Sequence, residues 1–139
     1  MPEVNVAVFA FLPNFPWELW QMPFYGGVPV GPHWVGIQVC SRATAGDAVI
    51  AVVALAVVAA AARPRHWVLR PTPLQVAGFA AVGVAVTIVM EWLATQVLGR
   101  WAYAPSMPVV PFLRVGLLPL LPWILVPPLI VWFVRRQLT

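Results

Sequence analysis

The chain has no lysine, one cysteine and four acidic residues, and only 9% of its 139 positions are charged. Each shortage excludes something. A soluble domain carries about 25% charged residues, so this chain has too little polar surface to cover a water-exposed globule. Disorder needs low hydrophobicity, whereas 62% of these residues are hydrophobic and the mean hydropathy is +0.89. The lone thiol, Cys40, excludes an intramolecular disulfide and any multi-cysteine metal site. All eight basic residues are arginines, scattered at the ends of apolar stretches. Without a basic cluster there is nothing to track a phosphate backbone, and no nucleic-acid partner is expected.

What the chain does have is long apolar runs, which point to an all-α, polytopic membrane protein formed as one domain over residues 1–139. Four spans are expected, at about 4–25, 43–62, 74–98 and 115–134, packed as a four-helix bundle. The first contains Pro13, Pro16 and Pro23, and proline removes a backbone donor and clashes with the preceding turn. That helix is therefore expected to kink or break near Asn14. It has neither a basic leader nor a small-residue cleavage pattern, so it reads as a retained span. Residues 26–42, rich in glycine and proline, read as a loop or surface-lying segment. The fourth span holds Pro119, Pro122, Pro127 and Pro128 before Arg135 and Arg136. Five arginines (Arg63, Arg65, Arg70, Arg135, Arg136) fall on the side of the termini and three (Arg42, Arg100, Arg114) on the other. The arginine bias puts both termini in the cytoplasm of a bacterial inner membrane.

Three of the four acids lie inside spans. Counted from the non-cytoplasmic ends at 1.5 Å per residue, Glu18, Asp47 and Glu91 sit roughly 6–10 Å below one surface. A charge in hydrocarbon costs several kcal/mol, so such groups face the bundle interior or a wet cavity. Their neighbours fit an outward-facing pocket. Asn14, Glu18 and Gln21 share one helix face, as do Thr87, Glu91 and Thr95. Trp17, Trp20, Trp92, Trp101 and Tyr103 are candidate aromatic walls, Gln21 and Gln96 also suit bonding between helices, and Arg100 is placed to reach back toward Glu91. Asp47, in the first turn of its expected span, suits a helix-dipole role. His33 and His66 lie on opposite sides in this topology, so no metal centre and no cofactor is expected. Ser41 and Ser106 have no histidine base at a hydrolase spacing.

The run Glu18-Leu19-Trp20-Gln21-Met22-Pro23-Phe24-Tyr25 resembles the glutamate-bearing helix of the emopamil-binding/sigma-2 receptor (EXPERA) superfamily. Pro122-Trp123-Ile124-Leu125-Val126-Pro127 is similar to the proline-flanked run in that family's last helix. The resemblance implies a small membrane bundle whose buried carboxylates hold cationic or sterol-like ligands, one branch isomerising a sterol double bond by proton transfer. A fainter similarity joins Glu91, Trp101, Tyr103 and the prolines after them to lycopene-cyclase half-domains. Together these features predict an acid–base isomerase or cyclase for an isoprenoid- or sterol-like lipid, with Glu91 as proton donor and Glu18 as its partner. Asn14, Gln21, Asp47, Thr87, Trp92, Thr95, Gln96, Arg100, Trp101 and Tyr103 would contact the substrate. The alternatives are a binder or proton-coupled carrier of hydrophobic cations, and an accessory subunit of a larger membrane complex. The expected partners are membrane lipids, a hydrophobic small molecule, and a second copy or a larger assembly.

Overall fold

The computed structural model describes residues 2–26, 33–62 and 66–139. Four helices carry the fold: α1 (Pro2–Gln21), α2 (His33–Ala62), α3 (Pro73–Trp92) and α4 (Pro122–Leu138). Each packs against its chain neighbours, and α1 also packs against α4, so the four close into a ring.

The expected break in α1 does not occur; the helix runs unbroken through Pro13 and Pro16. The Asn14 side-chain amide donates to the Ala10 carbonyl at 2.7 Å, adding a bond to the helix where the prolines remove two donors. Packing along both α2 and α4 overrides the local cost. α2 begins at His33, ten residues ahead of the expected span, and takes in more than half of the expected loop. The breakers of that stretch end at Pro32, and nothing from His33 to Arg42 opposes a helix except Gly36. Residues 27–32 and 63–65 lie outside the described residues, and with them part of the loop and Arg63 and Arg65.

α3 starts where its cap dictates. Thr72 Oγ1 accepts from the Gln75 amide at 3.2 Å while the Gln75 side chain accepts from the Thr72 amide at 2.9 Å, and Pro73 fills the first position. Its far end widens into a π turn, Leu93–Val97, and Gly99 at φ +60 turns the chain out of the helix. The last helix is shorter than expected: residues 115–121 are strand and turn, and α4 starts only at Pro122. Two short antiparallel ladders close this end. β1 (Tyr25–Gly26) pairs with β2 (Ala102–Tyr103), and β3 (Val109–Val110) pairs with β4 (Val115–Gly116).

Among the described residues, two helices are long and apolar enough to cross a membrane: 33–61, with mean hydropathy 2.2, and 73–97, with 2.0. Only 28% and 17% of their apolar windows are buried inside the chain, unlike core helices of a water-soluble domain.

The bundle interior has two storeys. The lower one is apolar, built from Val6, Ala51, Leu55, Phe79, Val126 and Ile130 among others. Trp67 plugs its floor, donating to the Leu55 carbonyl at 3.2 Å and meeting Phe79 edge-on. Gly83 lets α4 come close: a Cβ there would lie 2.0 Å from Trp123 Cε3. Above that contact the interior turns polar, with Asn14, Gln21, Thr44, Thr87 and Glu91 buried.

Candidate functional site: a carboxyl layer under an aromatic roof

The same helical spacing that fills the lower storey continues upward with different chemistry. On α3 the buried stripe Phe79, Gly83, Thr87, Glu91 steps by four residues and changes from ring to carboxyl along its length. On α1 the stripe Val6, Ala10, Asn14 leads to Glu18 and Gln21. α1 and α3 both run toward this end and α2 runs back from it, so three helices deliver one acid each to the same layer.

Glu91 is 9% exposed and is the best-held of the three. Tyr103 donates its hydroxyl to Glu91 Oε2 at 2.7 Å, the Trp101 indole N–H donates to the same oxygen at 3.3 Å, and the Tyr25 hydroxyl lies 3.3 and 3.4 Å from the two oxygens. The β1–β2 ladder explains the convergence: its register sets Tyr25 opposite Tyr103, with the rings 5.5 Å apart, and Trp101 meets Tyr25 edge-on. The Gly116 amide donates to the Tyr103 hydroxyl from the second ladder. Burial, with the Glu91 carboxyl beside it, pushes the Tyr103 phenol above its ordinary range, so it remains a donor. Three donors aimed at one carboxyl form the hydrogen-bond set of an acceptor.

Glu18 and Asp47 hydrogen-bond to each other, and Gln21 bonds Glu18. Ionised carboxylates only accept, so two carboxyls that bond to each other are suited to holding a proton between them. Both acids feel the charge of Glu91. Asp47 is fourteen residues into α2, not in its first turn as expected, so the helix-dipole role falls away and its partner is a side chain.

The other expected residues divide. Thr95 donates to the Glu91 backbone carbonyl at 2.8 Å, and Asn14 is spent on its own helix. Thr87 and Gln21 are buried, and Thr87 Oγ1 and Gln21 Oε1 have no hydrogen-bond partner. Trp92, Gln96 and Arg100 are exposed; the first two follow Glu91 by one and five positions, off the inward stripe, and no ion pair joins Arg100 to Glu91 among the described residues. Tyr25 is the residue that sequence reasoning missed. It lies beyond the helical stripe, and no local pattern links it to Glu91, 66 positions away.

The fourth wall of the layer is not helix. Trp17 donates its indole N–H to the Leu118 carbonyl at 3.0 Å, fixing the 115–121 segment to α1. Val115, Gly116, Leu118, Pro119 and Leu120 are buried along it. No family model, curated protein or solved structure matches the chain.

Proposed function

We propose that this chain is a four-span membrane protein whose carboxyl layer moves protons to and from an unsaturated, isoprenoid- or sterol-like lipid. The observation that carries the proposal is the different surroundings of the acids: Glu18 and Asp47 are paired with each other, while Glu91 faces three aromatic donors. Buried acids in membrane helices mark proton and substrate paths. The mostly exposed apolar faces of α2 and α3 support membrane placement, and irregular backbone at depth is tolerated where it is buried in protein, as at 115–121. The arginine bias supports cytoplasmic termini.

In this scheme the carboxyl pair gives its proton to one alkene carbon, leaving a cation on the adjacent carbon. Glu91 removes a proton from the carbon beyond, and the double bond re-forms one position along. One proton leaves the pair and one arrives on Glu91; its return through the layer resets the site. Tyr25, Trp101 and Tyr103 are the wall such a cation needs. The test is deuterium exchange: lipid incubated with the purified protein in D2O gains deuterium at allylic carbons, and Glu91→Gln stops the gain. Wild-type protein that exchanges no deuterium into any unsaturated lipid offered would remove the proposal.

A hydrophobic organic cation is the alternative ligand, favoured by the aromatic ring of residues around the Glu91 carboxyl. Saturable binding of such an amine, with no deuterium exchange, would select it.

A further inference from the structure

The carboxyl layer has oxygen atoms that neither its hydrogen bonds nor the lipid chemistry uses. Gln21 is 2% exposed, and its amide N–H bonds Glu18 while its Oε1 has no partner. Thr87 is 5% exposed, one turn below Glu91, and its hydroxyl has no partner either. An unmet buried polar atom costs about 1–3 kcal/mol, so two in one layer call for an occupant.

The electrostatics specify its sign. Facing the layer are Glu18 from α1, Cys40 and Asp47 from α2, Glu91 from α3, and Tyr25 and Tyr103 from the roof. α4 supplies no charge here; Arg135 and Arg136 are in its last turn at the other end. Arg42 and Arg100 are exposed. α1 and α3 both end at this layer, so their negative dipole ends also face it. The positive end of α4, which starts at Pro122, opposes them, but the three carboxyls leave the balance in favour of a cation, and the two free atoms are hard oxygens.

We propose that the layer binds an alkali cation, Na+ in the first instance, through Glu18, Asp47, Gln21 Oε1 and the Thr87 hydroxyl. Mg2+ sheds its waters reluctantly and demands near-ideal octahedral geometry, which disfavours it here. Helix C-terminal ends beside irregular backbone are also where membrane proteins coordinate Na+.

The site is shared with the proposed proton chemistry but does not depend on it, and the test uses no lipid substrate. Full-length protein in detergent is melted at fixed pH and ionic strength in NaCl, KCl or choline chloride. A saturable rise in Tm with Na+, absent in choline and needing more salt with K+, is expected. Thr87→Val keeps the side-chain shape and removes only the hydroxyl, while Gln21→Met removes the free oxygen together with the N–H that bonds Glu18; both lose the Na+ shift. Equal melting in all three salts overturns the proposal, as does an unchanged Na+ shift in Thr87→Val. Should Gln21→Met fail to fold, Thr87→Val decides alone. Failure of lipid deuteration with the Na+ shift intact refutes the lipid chemistry and leaves the cation site standing.

Discussion

Tyr103→Phe, made with and without Glu91→Gln, tests whether Glu91 is held as a carboxylate. The Tyr103 hydroxyl sits 2.7 Å from Glu91 Oε2, the shortest of the three donor contacts. A hydrogen bond to a charged group contributes about 1.5–3 kcal/mol and one to a neutral group about 0.5–1.5. Deleting the hydroxyl also strands the Gly116 amide, but that loss is common to both backgrounds and cancels in a double-mutant cycle. Glu91→Gln is a fair reference. Its carbonyl can take the Oε2 position facing Tyr103 and Trp101, and its NH2 can donate to the Tyr25 oxygen, which both donates and accepts. Tyr103→Phe is therefore expected to cost more beside Glu91 than beside the Gln replacement, by about 1–1.5 kcal/mol. Reversible denaturation in mixed micelles measures each corner of the cycle. Equal costs in the two backgrounds would refute the acceptor assignment and restore Glu91 as the proton donor expected from sequence.

Three further outcomes follow from particular contacts. Gly83→Ala should destabilise by about 1–2 kcal/mol, because overpacking against Trp123 exceeds the gain in helix propensity; Gly78→Ala, whose Cβ would rest an ordinary 3.6 Å from Val58, should be neutral or stabilising in the same melts. Asp47→Leu should cost about 1–3 kcal/mol by stranding Glu18, while Asp47→Asn, able to donate to it, should cost less than about 1 kcal/mol; equal losses would mean the pair is not hydrogen-bonded. Single cysteines at Ser106 and Thr139, both exposed, in a Cys40→Ala background should be labelled from outside the cell at 106 and protected at 139. The reverse pattern would invert the topology.

Much of the site was legible because helical periodicity is local. Asn14, Glu18 and Gln21, and Thr87 and Glu91, could be assigned to faces by counting residues, and those faces turn inward. Adjacency misled where periodicity should have ruled: Trp92 and Gln96 neighbour Glu91 in sequence but point about 100° or more away from its stripe. Pro13 and Pro16 do not break α1, because tertiary packing prevailed over their local cost. The start of α2 was missed because residues 33–42 are too short to span alone, although they lengthen a helix that is already long enough to. Tyr25 and the irregular wall at 115–121 are set by pairings between distant segments, and a single sequence carries no local trace of those.

The two-storey interior divides the chain by how freely its sequence can drift. In the lower storey Val6, Leu55, Val126 and Ile130 contribute volume and little else, and apolar cores tolerate exchange among residues of similar size. The upper storey has no such latitude: replacing Glu91 disturbs Tyr25, Trp101 and Tyr103 together, and replacing Glu18 disturbs Asp47 and Gln21. Descendants of a common ancestor would lose resemblance first in the long apolar stretches, where alignment methods gather most of their signal from a chain like this one. A handful of widely separated positions, Glu18, Gln21, Tyr25, Asp47, Glu91, Trp101 and Tyr103, is the signature by which distant kin can be sought.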